Sequence, residues 1–431
     1  MAETSLKTII GGTPAGTLTQ DEAGLISFRY AEGYQGVPLS LSMPISNRTY
    51  KQETLLPYLF GLLPDSERQR RAIALEFGVR PNNPVALLTH IGRDCPGGVQ
   101  FCREEDLGAT LDRTGAYGPI SEHDIARRLS SIRQDETASW MGGEESWSLG
   151  GNQGKFALGF HNGAWCECIG AAATTHIFKN GIVGFRLQAL NEYVCMKTAA
   201  RSGISTAAVE YRFFEDEPAL IVSRYDRVLD ASGNIARLHQ EDFCQALSVM
   251  PNQKYTADGG PAAHDALRLL CTTEQRHLNL LLFTQILFYN CLIGAPDAHA
   301  KNYSLILGRG RNAAVAPMYD VASGLAYENL RRKGRLAMAI GGENRFGRVG
   351  SDAIHRYMGG NDPALAAMLE KAEFTEAACT AIMADLAQEI PVSMAEVFDE
   401  AETDGIPGAA ELRERMLCPV CENCAKTLAL L

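Results

Sequence analysis

No segment of the sequence is apolar over a stretch long enough to cross a membrane. The longest apolar run, Leu278 to Ile293, contains polar residues such as Asn279 and Asn290 and falls short of the ~20 residues that a transmembrane helix needs. The N-terminus lacks the basic start and apolar core of a secretion signal. We therefore expect a cytoplasmic protein without membrane contact.

Two common nucleotide-binding motifs are also missing. A Walker A loop reads GxxxxGK[ST], but here Leu149 stands at the first glycine position and Phe156 at the Ser/Thr position. No GxGxxG motif occurs, so a P-loop NTPase and a Rossmann site are both disfavoured. The glycine-rich phrase SLGGNQGKFAL, residues 148–158, instead leads into a predicted strand. Glycines that precede a strand and fold over phosphates are typical of kinases.

The twelve cysteines are not arranged as a disulfide framework. They are scattered through a long chain, which indicates reduced thiols. Only Cys418, Cys421 and Cys424 have a metal-like spacing, and they offer three thiolates without a second CxxC or a nearby pair of histidines. Packing on a helix face is the favoured interpretation, and a zinc site is the alternative.

Positive charge is scarce, since the formal net charge is −11. This balance disfavours sequence-independent binding of nucleic acid by the whole surface. The two densest basic runs, at residues 68–71 and 331–335, are interpreted as solvated helix or loop faces.

A chain of 431 residues is long enough for two or three folded units, at ~100 to 200 residues per domain. Residues 1–105 begin with strand-like alternation at Ile26 and Phe28, which predicts a β-rich unit. Residues 106–228 are predicted to form a second unit that contains strands, and residues 229–431 a helical one. The expected fold class is α+β.

Three local patterns predict where elements begin and turn. Asn162-Gly163 lies between two strand-like segments and predicts a type I′ hairpin turn. Alternating apolar residues predict a strand over 39–43. Thr272 with Gln275 predicts a capping box at the start of the helix that leads to residue 293.

Ionisable and amide side chains are most crowded in GAPDAHAKNYSLIL, residues 294–307. Asp297 is followed five residues later by Asn302, and Asp320 comes after a short predicted hairpin. Protein kinases use this order, in which the first Asp orients the attacking hydroxyl while the Asn and the second Asp hold magnesium. The usual HRD, DFG and APE motifs are absent, so the pattern predicts a divergent kinase-like site.

Further kinase-like residues are predicted upstream. Lys179 ends the strand-like phrase TTHIFK, and Glu192 lies in the helical segment that follows. A strand lysine and a helix glutamate form the ion pair that grips the nucleotide phosphates in kinases, although the spacing fits a surface pair equally well. Backbone amides near Ser223 to Tyr225 are expected to meet an adenine.

These phrases together resemble the HipA family of bacterial serine/threonine kinases, the toxin halves of HipBA-type toxin–antitoxin modules. The resemblance extends over nearly the full length and implies a divergent protein-kinase-like fold with a β-rich N-terminal part and an all-helical C-terminal lobe. The matching phrases are LLPD, IGRDCPGGVQF, SLGGNQGKFAL, TTHIFK, NEYVCM, LIVSRYDR, LHQEDFCQAL, KYTADGGP, DAHAKNYS, MYDVAS and LAMAIGGE.

The resemblance implies roles for the residues of the catalytic segment. Asp297 matches the family's catalytic aspartate, and Asn302 and Asp320 match its Mg²⁺ ligands. Lys301 is expected to neutralise charge on the transferring phosphate. For His299, a structural role is favoured over a chemical one.

The resemblance also implies an ATP site and a regulatory serine. The residues matched to ATP binding are Lys179, Glu192, Ser223, Tyr225, Gly150, Gly151 and Gln153. Many relatives have Glu where this chain has Ser223, so backbone contacts are expected there rather than side-chain contacts. Ser148 matches the serine that family members phosphorylate on themselves, and Ser146 is the alternative acceptor. In the family, this modification is thought to expel the glycine-rich loop and switch the kinase off, because phosphate adds about −1.5 to −2 charges.

The implied function is transfer of the ATP γ-phosphoryl group to a Ser or Thr of another protein. Substrates in the family include aminoacyl-tRNA synthetases, so growth arrest and persistence are expected. A second possibility is a co-repressor that docks on a HipB-like helix-turn-helix antitoxin, which would supply most of the DNA affinity. A small-molecule or lipid kinase is a third, because that branch also lacks HRD and APE.

Overall fold

Strands dominate the first half of the chain and long helices the last part. The computed structural model describes residues 3–112, 115–135, 147–231 and 233–431. The strands are β1 (Thr4–Ile10), β2 (Thr13–Gln20), β3 (Ile26–Tyr30), β4 (Thr49–Lys51), β5 (Val99–Cys102), β6 (Gly115–Pro119), β7 (Lys155–His161), β8 (Ala164–Gly170), β9 (His176–Lys179), β10 (Val209–Phe214), β11 (Glu217–Ser223), β12 (Arg227–Leu229), β13 (Ile235–Arg237), β14 (Gln240–Asp242), β15 (Ser304–Leu307), β16 (Ala313–Val315), β17 (Arg335–Ile340) and β18 (Glu343–Arg345).

The two longest of the described helices, α13 and α14, come last in the chain. They are α1 (Gln52–Gly61), α2 (Glu67–Phe77), α3 (Pro84–Ile91), α4 (Leu107–Leu111), α5 (Glu122–Gln134), α6 (Gln188–Arg201), α7 (Phe243–Ala246), α8 (Ala263–Cys271), α9 (Arg276–Leu292), α10 (Glu328–Lys333), α11 (Ser351–Tyr357), α12 (Pro363–Lys371), α13 (Glu376–Thr403) and α14 (Ala409–Leu428). The predicted α+β class is confirmed. The C-terminal part, which was predicted to be all-helical, also contains the short strands β13 to β18. The sequence did not predict them because runs of three to six residues show little alternation.

Two compact units alternate along the chain. The first contains Met1–Val183, Glu210–Asn252 and Leu305–Asn312, and the second contains Gly184–Val209, Gln253–Ser304 and Ala313–Leu431. The division predicted from sequence, at residues 105 and 228, stays a prediction. Among the described residues, no helix is both long and apolar enough to cross a membrane.

An antiparallel sheet in the order β4-β3-β2-β1-β5 opens the first unit. Its inner face packs on α1 and α3 through residues such as Phe28 and Leu88. The strand predicted over residues 39–43 is wrong, because this segment is a turn with a single bridge from Ser40 to Met43. Tyr30 stabilises that turn, since its hydroxyl donates to Met43 O at 2.6 Å and accepts from Leu39 N at 2.7 Å.

A second sheet, in the order β10-β11-β9-β7-β8-β6, carries Lys179 on β9 and Ser223 at the end of β11, two of the residues expected to bind nucleotide. One face packs on α5 in a cluster that includes Phe156 and Phe178, whose rings stack 5.1 Å apart. The type I′ turn between β7 and β8 is confirmed, with Asn162 at φ 51° and Gly163 at φ 80°. This turn sets the register in which β7 meets β8.

A buried charge network joins the loop after α3 to the segment after β11. Asp94 accepts from Arg227 Nη2 and Arg237 Nε at 2.9 Å each, and from Thr174 Oγ1 at 2.6 Å. Arg224 bridges Asp94 and the equally buried Asp226. Burial would raise the pKa of Asp94, but the three guanidinium groups hold it well below its usual range. The network therefore fixes the chain at the end of β11 by charge-assisted hydrogen bonds.

The second unit is built on the buried helix α9, which contacts α13 and α14. The capping box predicted at Thr272 is wrong. The N-cap of α9 is Gln275, which makes no side-chain cap hydrogen bond, and Thr272 ends the preceding helix with its hydroxyl donating to Leu269 O at 2.7 Å. The Thr272 side chain thus bonds to the end of α8 rather than capping the start of α9.

Candidate active site

The predicted catalytic segment, residues 294–307, begins at a sharp turn after α9. Asn423 Nδ2 donates to Cys291 O at 3.0 Å and to Leu292 O at 2.7 Å, which satisfies carbonyls at the end of α9. Gly294 then turns the chain at φ +63°, and a Cβ there would lie 2.6 Å from Leu325 Cγ. Only glycine satisfies both demands, so this position determines how the chain reaches Asp297.

Asp297 is the centre of a small hydrogen-bonded loop. Its carbonyl accepts from His299 N at 2.8 Å and from Asn302 Nδ2 at 2.8 Å, while Asn302 N donates to His299 O at 2.8 Å. Its carboxylate accepts a hydrogen bond from the phenol of Tyr255, and the side chain is 68% exposed. The catalytic aspartate predicted from sequence is therefore exposed on a loop whose backbone is closed on itself.

Asp320 is held next to the same loop by hydrogen bonds of its neighbour, Tyr319. Tyr319 Oη donates to Lys301 O at 2.8 Å and lies 2.6 Å from Ser304 Oγ. Asp320 itself adopts a left-handed backbone at φ 59°, a conformation that costs a non-glycine residue ~1 kcal/mol or more. The structure thus brings the segment of Asp320 beside that of Lys301 and Asn302, as the sequence predicted for a shared site.

The donor set of Asn302 and Asp320 fits a magnesium ion. An amide oxygen and a carboxylate are hard oxygen ligands of the kind that Mg²⁺ prefers alongside water and substrate phosphates. The bond from Asn302 Nδ2 to the Asp297 carbonyl turns its Oδ1 away from the backbone. Within the described ranges, no group of three or more His, Cys, Asp or Glu side chains could hold a metal by itself. Mg²⁺ bound by Asn302 and Asp320 would take its remaining ligands from water and from oxygen atoms of the substrate phosphates.

Two lysines face each other on the sheet of the first unit. Lys179 on β9 is directly opposite Lys155 on β7, and Lys179 is only 5% exposed. Their cross-strand register places two positive charges on the same face of the sheet. Gly151, at φ +97°, brings its backbone close to Lys155, since a Cβ there would lie 2.7 Å from Nζ. The arrangement of Lys155, Lys179 and Gly151 fits a phosphate-bearing ligand.

Lys155 is a candidate site residue that sequence reasoning missed. The sequence placed it in a strand but did not indicate its partner, because β7 pairs directly with β9 although β8 comes between them in the chain. The alternation of TTHIFK against KFALGF was the available signal, since it allows the two lysines to share a face.

Ser148 is buried against the loop that joins α1 and α2. Its hydroxyl donates to Leu62 O, its amide donates to Asp94 O at 3.0 Å, and it is 1% exposed. The following residues continue the contact, since Asp65 N donates to Gly151 O at 3.1 Å and Gln69 Nε2 to Asn152 O at 3.0 Å. In this conformation the glycine-rich segment is docked on the α1–α2 loop within the first unit, and Ser148 is not accessible to a phosphate donor.

The other predicted ligands are placed as follows. Gly150 and Gln153 are half-buried in the docked segment. Adenine contacts were predicted for the backbone amides of Ser223 to Tyr225. The amide of Arg224 already donates to Thr175 O at 2.9 Å. The adenine contacts of Ser223 and Tyr225 stay a prediction, as does the alternative acceptor Ser146, which lies outside the described residues.

Glu192 is a buried residue of α6 in the second unit, whereas Lys179 belongs to the first. Its predicted ion pair with Lys179 stays a prediction. At the C-terminus, Cys418, Cys421 and Cys424 lie on the single helix α14, where Cys418 is exposed and Cys424 is buried. This distribution is typical of residues that follow one helix round from the surface to the core.

Comparison with protein families finds two matching models. The HipA N-terminal domain matches residues 6–102 and the HipA-like C-terminal domain matches residues 147–394. The second match covers more than half of the chain and contains the catalytic loop. The N-terminal match ends close to the boundary between the first sheet and the segment that follows.

Individual proteins are similar over most of their length. "Putative kinase Y4mE" of Sinorhizobium fredii is 37% identical over 341 residues, which cover 77% of this chain and 79% of that protein. "Serine/threonine-protein kinase toxin HipA" of Shewanella oneidensis is 26% identical over 409 residues, which cover 91% and 89%.

Among solved structures, the HipA chain of a Shewanella oneidensis complex of HipA, HipB and operator DNA has a similar fold. Its TM-score is 0.81 at 24% identity, and the match covers 99% of this chain and 98% of that one. The whole described architecture, from the first sheet to α14, therefore has a counterpart in a known fold.

Proposed function

Because the chain belongs to the HipA family of kinases, we propose that it transfers the γ-phosphoryl group of ATP to a Ser or Thr hydroxyl of a protein. One observation carries the proposal. The Asp297 loop is closed by Asn302, and the segment of Asp320 is fastened to it through Tyr319. This reproduces the order of base and metal ligands that phosphoryl transfer requires.

Each residue of the loop has a role in the proposed reaction. Asp297 accepts the proton of the attacking hydroxyl and orients its oxygen toward the phosphorus. Asn302 and Asp320 would hold Mg²⁺, which neutralises charge on the phosphate oxygens when it is bound. Lys301 adds a positive charge next to the same loop. Positioning and charge neutralisation then account for most of the catalysis.

Residues of the first unit are proposed to bind ATP. Lys179 and Lys155 hold the phosphates, with the backbone of Gly150, Gly151 and Gln153 over them. The opposed lysines support this role because they place two positive charges at one position of the sheet. Glu192 is proposed to orient Lys179, and the backbone of Ser223 and Tyr225 to meet the adenine, as the family resemblance implies.

The variant Asp297→Asn tests the reaction. With γ-labelled ATP and Mg²⁺, we expect label transfer to protein to fall on the order of 10²-fold or more, since a positioned base is removed. Nucleotide affinity and the circular dichroism spectrum should stay at wild-type values because the amide keeps the shape of the side chain. Label transfer by this variant at the wild-type rate would overturn the assignment.

The biological target is proposed from the relatives. A "serine/threonine-protein kinase toxin" at 26% identity supports growth arrest through phosphorylation of a protein, for which an aminoacyl-tRNA synthetase is our candidate. Expression of wild type should arrest growth, and expression of Asp297→Asn should not. If label from a cell extract appears on a metabolite or lipid and never on protein, a small-molecule or lipid kinase replaces this proposal.

Self-phosphorylation of Ser148 is proposed as the off-switch. The burial of this hydroxyl against Leu62 O means that the glycine-rich segment must undock before the reaction. Intact mass after incubation with Mg-ATP should show one added phosphate that is lost in Ser148→Ala. A phosphate that persists in this variant and maps to Ser146 would move the site by two residues.

A second function is favoured by the architecture of the solved relative, which was determined with HipB and operator DNA. We propose that this chain also binds a HipB-like helix-turn-helix antitoxin and acts as co-repressor. With a net charge of −11, the chain should contact DNA chiefly through that partner. The Asp297→Asn variant should still repress the operon, whereas loss of repression together with activity would link the two functions.

A further inference from the structure

The phrase KYTADGGP, residues 254–261, forms a rigid loop next to the catalytic segment in the second unit. We call it the Tyr255 loop. Its backbone is closed by bonds from Asp258 N and Gly260 N to Tyr255 O, both at 3.0 Å, and Thr256 Oγ1 donates to Pro261 O at 2.8 Å. A Cβ at Gly260 would lie 1.7 Å from Gln253 O, so this glycine permits the close approach. A loop closed this tightly presents Tyr255 in a defined place.

Three contacts join the Tyr255 loop to the catalytic segment. Lys254 O accepts from Ala300 N at 3.3 Å. The ring of Tyr255 meets that of His299 edge to face, with centroids 4.9 Å apart at 85°. The phenol of Tyr255 donates to Asp297 Oδ1. A backbone bond, a ring contact and a side-chain bond thus act together on one short stretch of the catalytic loop.

The charged and titratable groups around the Asp297 carboxylate come from both segments. Tyr255 donates to Oδ1, and His299 Nε2 lies 3.9 Å from the same oxygen. The Lys254 ammonium lies 5.7 Å from the centroid of the Tyr255 ring. A carboxylate has about four lone-pair positions, so it can accept a hydrogen bond from a second hydroxyl while the phenol is bound.

We propose that Tyr255 is a positioning residue, whose phenol orients the Asp297 carboxylate toward the acceptor hydroxyl. The inference rests on the proposed kinase function. Tyr255 touches neither nucleotide nor acceptor in this role, because it acts through Asp297. It assigns a function to a motif of the sequence that the kinase pattern itself leaves unused.

Replacement by Phe separates this role from simple packing. Tyr255→Phe keeps the ring against His299 and removes only the hydroxyl, whereas Tyr255→Leu removes the ring as well. If the residue only packs, Tyr255→Phe behaves as wild type and Tyr255→Leu is impaired. If it positions Asp297, both variants are impaired, and the apparent kcat falls about tenfold in Tyr255→Phe while the KM for ATP is unchanged.

The split between kcat and KM is the second readout. A variant that misplaces the Asp297 carboxylate binds ATP as before but transfers phosphate more slowly, so only kcat falls. A purely structural defect would instead lower thermal stability along with activity.

The experiment measures the initial rate of label transfer from γ-labelled Mg-ATP to protein, with casein added as acceptor, using the full-length chain. The matched control is Tyr34→Phe, which removes a phenol that donates to Val37 O at 2.8 Å in the first unit. Thermal unfolding of every variant shows whether it is folded. The control should show the wild-type rate and the wild-type KM for ATP.

The outcomes distinguish this inference from the function on which it rests. If wild type transfers label, Asp297→Asn does not, and Tyr255→Phe has the wild-type kcat, the positioning role is wrong and the kinase function stands. If wild type transfers no label to protein, both are overturned. A lower kcat with an unchanged KM for ATP and an unchanged unfolding temperature in Tyr255→Phe supports the positioning role.

Discussion

Asp297 is held on two sides by neighbours of different kinds. Its carbonyl is bound by the backbone of His299 and the amide of Asn302, and its carboxylate by the phenol of Tyr255. The first two contacts are local and follow from the tight spacing of DAHAKN. The third comes from a residue 42 positions away, so the catalytic segment is complete only after the Tyr255 loop has folded onto it.

Glu241 is a buried carboxyl outside the proposed site. Its Oε1 accepts from Leu41 N at 2.8 Å, and it is fully buried near Tyr58. Burial raises its pKa to about 8, with Asp242 adding to the shift. The folded state therefore keeps a proton that the unfolded state releases at a much lower pH.

The variant Glu241→Gln should change how stability depends on pH. A raised folded-state pKa contributes stability that is full below the unfolded-state pKa of ~4.3 and is lost as pH rises to about 8. The stability of Glu241→Gln relative to wild type should thus increase by on the order of 1 kcal/mol per pH unit between pH 5 and 8. Urea unfolding at several pH values measures this.

The same substitution at Glu370, an exposed residue of α12, is the matched control for Glu241→Gln. A difference in unfolding free energy that is constant from pH 5 to 8 would mean that Glu241 is ionised in the folded protein.

At the scale of elements, the glycine-rich segment is the part of the fold that the proposed off-switch would move. Trp147 pairs with Asp94, Ser148 is bound to Leu62, and Gly151 pairs with Pro64. These contacts dock the segment on the α1–α2 loop and on the loop after α3. They mostly involve the backbone, so a single added charge among them is enough to disturb them.

The variant Ser148→Asp should undock this segment. The new carboxylate can only accept hydrogen bonds and would face the Leu62 carbonyl in a buried position. We expect the emission of Trp147, now 7% exposed, to shift to longer wavelength as the indole reaches water. The difference between spectra with and without Trp147→Phe isolates this residue. Ser205→Asp, at an exposed position, is the control.

An unchanged Trp147 emission in Ser148→Asp would contradict the expected undocking. It would show that the segment accommodates a negative charge without leaving the α1–α2 loop, and the proposed off-switch would then need another physical basis.

Local sequence predicted several elements well and others badly. The turn at Asn162-Gly163 was predictable because only such residues accept positive φ at both positions. The strand expected over residues 39–43 and the capping box at Thr272 were wrong, because the Tyr30 hydroxyl in one case and the Leu269 carbonyl in the other offered competing hydrogen bonds. Those partners are decided by packing and by the preceding turn.

At the scale of the molecule, the cysteines are mostly buried. None of the twelve is paired in the structure, and only Cys418 is exposed. Burial raises the pKa of Cys95, Cys195 and Cys424 to about 12, which favours unreactive thiols. The reduced state expected from composition stays a prediction.

Thiol titration should reflect this burial. In the folded protein a bulky disulfide reagent should modify Cys418 first, and Cys418→Ser should lose that fast phase. In denaturant without reductant, twelve thiols should react. A denatured count lower than twelve in freshly purified protein would indicate disulfides and contradict the structure.

The sequence by itself determined the family and the proposed chemistry. Asp297, Asn302 and Asp320 were predicted as a kinase-like site from their types and order, and the HipA phrases can be read without any knowledge of tertiary contacts. The α+β class followed from the change from two-residue to helical periodicity. These features depend on residues close together in the chain.

Only the tertiary structure decided which distant residues assist them. Lys155 faces Lys179, Tyr255 binds Asp297, Ser148 is buried beneath Leu62, and Asp94 gathers three arginines. None of these pairs is separated by a regular period, so no pattern in the sequence reports them. Each is selected by side-chain packing and by the need to give buried polar groups a partner, which arises only when the chain is folded.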